Sequence, residues 1–466
     1  MDIGVWNVLR GYGLDVTTPE FAKMMDMQDP LRKFRDRFSY PKNGSLDGTS
    51  KSLVDPQEEC VYLSGNACGL QPKVATNILQ ENMSQWANNP VRYNAVSQSC
   101  DEDSCAHLAH LVGAAEPSSV TLMNGLTVNL HLLMLSFYKP TQDRFKILIE
   151  KNAFSSDRYA VLSQAALRGY NPAQVIVEID PRPGEDYIRN KDIIKILEQQ
   201  GSSIALVCLP GIQFYTGQKL DMQRITAAAH TQGCMVGWDL AHAIANVELQ
   251  LDHWGVDFAV WCSSKYLCGG LGSIGGAYLH PKHCRPGVAT LYGWWGCSQE
   301  NRAKMLQQFP NEGGVNTFKL TSPSPLLVAL VNCSLEILNE AGMGNLIKKQ
   351  YLLTGYLELL LDTYFPNAAS ASSSAAATQS ILRIITPNDT QQRGCQLSIS
   401  FTVDAEEVHK QLMRRGVCVT TSICNPTMPT VLRVAPSPLY NSFRDVYKFV
   451  TALQEISRTC NFSCAE

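Results

Sequence analysis

The chain has no excess of charge of either sign: 39 basic and 42 acidic residues leave a formal net charge of -3. Such a balance gives no electrostatic footprint for nucleic acid or for an anionic membrane surface, so neither is expected as a partner. No apolar run approaches the length needed to cross a bilayer, and the start, MDIGVWNVLRGYG, lacks the basic residues and unbroken apolar core of a signal peptide. A soluble, cytoplasmic protein is the expectation. No C-x-x-C pair occurs among the 16 cysteines, which are scattered through 466 residues and are expected to be reduced core thiols. Cys100 with Cys105, and Cys460 with Cys464, have no further ligands nearby, and no metal site is expected.

What is present is ample apolar material. At 45% hydrophobic and 17% charged, the chain can build a large core and is expected to divide into more than one unit. Residues 1–60 are mixed, with a polar stretch from Lys42 to Lys51, and read as an N-terminal arm. Over 61–330 short apolar runs alternate with segments of helical spacing, which predicts a large α/β domain with a mostly parallel sheet covered by helices. The expected strands are Phe145–Glu150, Val175–Ile179, Ile204–Leu209, Met235–Asp239, Phe258–Cys262 and Ile274–Leu279. Residues 331–466 read as a small C-terminal α+β domain, interrupted at 368–377 by a run of Ala and Ser expected to be a flexible insertion.

In open parallel sheets ligands collect at the carboxyl ends of the strands, so polar residues just after apolar runs are candidates. Asp239 ends the run CMVGWD, with His242 within one turn of it, and Lys265 follows FAVWCSS. A lysine held among backbone and apolar neighbours is desolvated, which favours the nucleophilic amine that a Schiff base needs. An aspartate one strand away could pair with the protonated ring nitrogen of pyridoxal 5'-phosphate (PLP). Spacing alone favours a plainer reading, a surface lysine and an aspartate capping the segment that begins at Leu240. Gly270, Gly272 and Gly275 spell G-x-G-x-x-G but run into extended GAYLHPKH rather than a helix, which argues against a nicotinamide site. His280 and His283 of HPKH read as solvent-facing loop.

The segments GWDLAHAIANVELQLDHWGVDFAVWCSSKYL, LMNGLTVNLHLLMLSFYKPT, FYTGQ, GCQLSISF and LRVAPSPLYNSFRDVYKF resemble kynureninase, a family of PLP-dependent hydrolases of tryptophan catabolism, from about Leu63 to Phe449. The resemblance implies the PLP-dependent transferase-like fold (fold type I) and a homodimer with shared active sites. It implies that Lys265 bonds the cofactor, that Asp239 pairs with its ring nitrogen, and that His242 lies beside it. Leu126 and Thr127 would hold the phosphate at a helix start. Phe154 would stack on the ring with Asp157 close by, Trp294 would come from the other subunit, and Arg433 would grip the substrate carboxylate. Several positions depart from the family: Ser264 replaces a tyrosine, Pro210 a serine, Ser322 an asparagine and Ala67 a serine, and the segment 88–105 lacks a histidine. Ser264 and Ser322 remain expected cofactor contacts. These departures leave two rival expectations, a fold-type I enzyme with another substrate and a catalytically silent PLP-binding paralogue.

Overall fold

The computed structural model describes residues 11–366, 381–426 and 428–459, so the Ala/Ser run at 368–377 and the Cys460 and Cys464 pair lie outside the described residues. The chain forms two compact units. One comprises Pro72–Gln213 and Leu220–Glu340; the described residues of the other fall within 1–71, 214–219 and 341–466.

The first unit is built on seven strands: β1 (Val120–Leu122), β2 (Lys146–Glu150), β3 (Ile176–Ile179), β4 (Ile204–Pro210), β5 (Met235–Asp239), β6 (Phe258–Trp261) and β7 (Gly276–Leu279). Their order across the sheet is β1-β7-β6-β5-β4-β2-β3. Every neighbouring pair from β6 to β3 is parallel, and β7 alone runs against its neighbours. The expected strands recur within a residue or two of their bounds. Ile147, Leu148 and Ile149 of β2, like Phe258, Ala259 and Val260 of β6, are buried on both faces, which is why the runs are continuously apolar rather than alternating. Gly237 of β5 sits so close to the Phe258 ring that a Cβ there would lie 2.2 Å from it.

Helices α1 (Leu126–Phe137), α2 (Ser155–Leu167), α3 (Asn190–Gln200), α4 (Met222–Thr231) and α5 (Pro325–Ala341) belong to this unit. Leu130, Leu133, Met134 and Phe137 of α1 and Val161 of α2 share one core with Ile147, Ile149, Phe258 and Val260. Burial of this apolar surface, at about 25 cal/mol per Å², is the main favourable term in the unit's stability. Among the described residues no single helix is long and apolar enough to cross a membrane, and the described cysteines are free thiols.

The second unit holds a four-stranded antiparallel sheet, β8 (Leu382–Ile384), β9 (Leu397–Phe401), β10 (Thr420–Ser422) and β11 (Val431–Val434), in the order β10-β11-β9-β8. With it go helices α6 (Met343–Tyr364), α7 (Ala405–Arg414) and α8 (Phe443–Thr459). The segment expected as a separate arm belongs to this unit. Phe21 and Met25 of the helix Pro19–Gln28 are buried in one core with Tyr356, Leu360, Phe443 and Phe449. Asp26 accepts the backbone N–H of Phe443 at 2.7 Å, and Val61 pairs with Val417 as parallel strand. The unit edges thus fall near residues 71 and 341 rather than at 60 and 330. Composition could not place them because the packing partners lie far away in sequence, Asp26 and Phe443 being 417 residues apart.

At the start of β6, Asp257 is 1% exposed and carries four contacts. His230 Nε2 lies 2.9 Å from Oδ2, His283 Nε2 and Lys282 Nζ each lie 2.7 Å from Oδ1, and the Val236 N–H donates to Oδ2. His283 is therefore not in a solvent-facing loop as expected; the short helical turn Pro281–His283 brings it onto a buried carboxylate. Burial raises the acid, but the hydrogen bonds from His230, His283 and Lys282 outweigh it, so Asp257 is held well below the usual carboxylate range. Its stabilisation is present above that range and is lost only as pH falls below it. The Asp257→Asn variant is expected to lose about 3 kcal/mol of unfolding free energy at neutral pH, measured by urea denaturation.

Candidate active site

The carboxyl ends of β2, β5 and β6 bring the reactive groups of the first unit together. Asp239 closes β5 and is 9% exposed. The chain then turns rather than entering a helix: the N–H groups of Ala243 and Ile244 both donate to Leu240 O, and Ala241 N donates to Asp239 Oδ1 at 2.7 Å. Asp239 therefore caps a turn with one oxygen. The same turn buries His242 and aims its ring at the loop after β6, where Nε2 lies 2.9 Å from Lys265 Nζ. That loop is held by Gly269 N donating to Ser263 O and Cys268 N to Lys265 O. Lys265 is half-buried, not at the surface.

Helix α2 supplies two more groups. Phe154 is the residue before its first turn, and its ring centroid is 5.9 Å from Lys265 Nζ. Asp157, in the first turn, is buried and hydrogen-bonds to Asp239, which requires a proton on one of the two carboxyls. Burial above all, then Asp239 and then Glu150, push Asp157 well above the usual carboxylate range, against the pull of Lys265. The Oδ1 of Asp157 is buried without a hydrogen-bond partner. Glu150, the last residue of β2, is buried too; desolvation pushes it up to about 8, with a Gln213 hydrogen bond opposing and Asp239 adding to the rise. Glu150 escaped the sequence reading, although it ends the run KILIE under the same rule that singled out Asp239.

Beside this cluster α1 begins without a side-chain cap: Gly125 occupies the cap position and leaves the first-turn N–H groups, Leu126 and Thr127 among them, without an intrahelical partner. Gly275 approaches so closely that a Cβ there would lie 3.1 Å from Leu126 N. Thr127 Oγ1 and Ser156 Oγ hydrogen-bond to each other. The helix start is thus an open set of donors at the positive end of a dipole.

The remaining expected residues have the following surroundings. Trp294 is 59% exposed and touches Trp295 edge-on with ring centroids 4.8 Å apart. A Cβ on Gly293 would lie 2.3 Å from the Leu320 backbone, so the loop bearing Trp294 abuts the segment leading to Ser322, itself exposed. Arg433 belongs to the other unit, on β11 opposite Ser398 and Thr420, where its Nη1 donates to Phe214 O at 3.2 Å. Ser264 is half-buried, whereas its neighbour Ser263 is fully buried with an Oγ that has no hydrogen-bond partner.

Because the raised Asp157 opposes folding once pH climbs above the ordinary carboxylate range, replacing it by an amide removes a penalty. Cofactor-free Asp157→Asn is expected to be more stable than wild type at pH 7, with a higher Tm and a gain that shrinks as pH falls toward 4, followed by thermal unfolding.

Residues 360–453 match the model of the kynureninase C-terminal domain. The chain is 44% identical to human kynureninase over 444 residues, 94% of this chain and 93% of that protein. It is 40% identical to the kynureninase of Nematostella vectensis (96% and 95% covered) and 42% identical to that of Koribacter versatilis (93% and 96%). Among solved structures, the apo cysteine desulfurase from Thermococcus onnurineus superposes with a TM-score of 0.68 at 16% identity, covering 86% of this chain and 95% of that one. A C-DES mutant with glycine covalently linked to its PLP cofactor gives 0.70 at 15% identity, covering 89% and 98%. These two likenesses establish the fold-type I architecture. With the relatives covering nearly its whole length, the chain belongs to the kynureninase family.

Proposed function

We propose that this protein hydrolyses L-kynurenine or 3-hydroxy-L-kynurenine to anthranilate or 3-hydroxyanthranilate and L-alanine, in tryptophan catabolism and pyridine nucleotide biosynthesis, with PLP bonded at Lys265. The observation that carries the reading is the cluster at Lys265 in a chain 40–44% identical to kynureninases over nearly its full length.

The residues fit the cofactor. Three buried carboxyl groups, Glu150, Asp157 and Asp239, interact with one another, and Asp157 Oδ1 has no hydrogen-bond partner; such a set suits a cationic ring nitrogen. The uncapped start of α1, with Leu126 and Thr127, suits a phosphate, with the hydroxyl of Ser264 as a further ligand. Phe154 offers a flat face beside Lys265 Nζ.

When bound, PLP supplies an electron sink for negative charge at the substrate α-carbon. In this reading Asp239 keeps the ring nitrogen protonated. Lys265 Nζ would take up the α-proton, and His242 Nε2 at 2.9 Å holds Nζ in place and can share that proton. Asp157 fixes Asp239 by their shared hydrogen bond. Arg433 binds the substrate carboxylate with two parallel N–H groups, a geometry lysine cannot reproduce.

The same proposal includes a cytoplasmic homodimer. Its support is the set of large apolar side chains left exposed on the first unit, Trp86, Val91, Tyr292, Trp294 and Met305 among them, which a second copy would cover. In that dimer Trp294, with Ser322 on the adjoining segment, would serve the partner's cofactor site. Free buried thiols suit a reducing compartment. The altered-substrate and silent-paralogue readings draw on nothing beyond the substitutions at Ser264, Pro210, Ser322 and Ala67.

Purified protein supplied with PLP is expected to release fluorescent anthranilate from kynurenine, or its 3-hydroxy form from 3-hydroxykynurenine, with the Lys265→Ala variant slower by about 10⁴-fold or more. Release from neither substrate would overturn the reading. In Arg433→Lys, KM for kynurenine is expected to rise about 10- to 100-fold with a smaller change in kcat, because the lost contact holds the substrate in every state.

A further inference from the structure

The buried carboxyl behind the cluster has a role of its own. Glu150 is 2% exposed at the carboxyl end of β2, with only β4 between it and β5, the strand that ends in Asp239. Two cations that follow it in sequence are engaged elsewhere: Lys151 turns outward to Asp180 at 2.5 Å, and Arg158 pairs with Glu178. Among the described residues no cation pairs with Glu150. The groups that face it are the amide of Gln213, the carboxyl of Asp239 from β5 and the carboxyl of Asp157 from α2. An amide brings no charge, and the N–H it donates favours the ionised form, but burial outweighs that bond. An ionised carboxylate in this position would be desolvated, would lack a counter-ion and would face a second carboxylate, all of which favour the protonated form.

We propose that Glu150 is a positioning residue of the cofactor site, kept neutral by burial without a counter-ion so that no second charge lies behind Asp239 where it faces the ring nitrogen. The inference rests on the PLP reading above. Burial pushes Glu150 up to about 8, so its proton leaves at the alkaline edge of the working range. Below that pH Glu150 adds no charge to the cluster. Above it a second negative charge lies behind Asp239 and changes the field at the ring nitrogen. No bond between heavy atoms changes; one proton passes from Glu150 to solvent.

Two measurements test this. In wild-type protein carrying ¹³C-labelled glutamate, without cofactor, the infrared carbonyl band of a protonated carboxylic acid is expected at pH 6.5, to fade near pH 8, and to be missing from Glu150→Gln. With PLP bound, the cofactor absorption of wild type is expected to show an inflection near pH 8, whereas Glu150→Gln, which copies the neutral form, keeps its low-pH spectrum through that range. An ionised Glu150 at pH 6.5, or the same pH profile with and without the substitution, overturns the proposal. The infrared band needs no cofactor, and its fading near pH 8 is read in the wild-type protein. A protein that binds no PLP would instead end the reading of the site, and with it this role for Glu150.

Discussion

The structure depends on a surplus of buried acid at one edge of a sheet. Glu150, Asp157 and Asp239 gather at the carboxyl ends of β2 and β5 and the start of α2, and the one lysine amine among them, Lys265, is met by a neutral-capable base, His242. Burial and mutual repulsion push Glu150 and Asp157 up, so the cluster resists full ionisation. A protein gains nothing in stability from such an arrangement; it makes sense as a mould for a ligand with a cationic ring and an anionic tail, and the open helix start at Leu126 supplies the place for the tail.

The opposite edge of the same sheet carries the contrasting case. Asp257 is as buried as Glu150, yet it is held low where Glu150 is pushed up. The difference lies in the neighbours: two imidazoles, an ammonium and a backbone N–H surround Asp257, while an amide and two carboxyls surround Glu150. One edge of the sheet is therefore fastened by complementary charge, and the other is left electrostatically unfinished. That division follows the rule that parallel sheets place function at the carboxyl ends of their strands and stability at the other.

Much of this was legible in the sequence. Strand ends marked Asp239 and Lys265, a three-residue offset placed His242, and the resemblance to the kynureninases added Phe154, Asp157 and the helix start at Leu126. Glu150 stayed hidden because Lys151 follows it and makes the end of the run look like surface. The Asp257 clamp stayed hidden because its partners lie about 25 residues to either side, and nothing local marks a histidine that will turn inward. The arm was misjudged for the same reason: Phe21 and Met25 are too few to announce a core whose other half begins at Tyr356. Trp294 and Ser322 stand exposed on one chain, as residues destined for a neighbouring copy would, and no single-chain pattern separates that from ordinary surface.

The account turns on a covalent bond between PLP and the amine of Lys265. Borohydride reduction of the PLP-loaded protein, followed by proteolysis and mass spectrometry, reads that bond directly. The expected result is a pyridoxyl group on the peptide containing Lys265 and on no other lysine; an unmodified Lys265, or a label distributed over surface lysines, would contradict it.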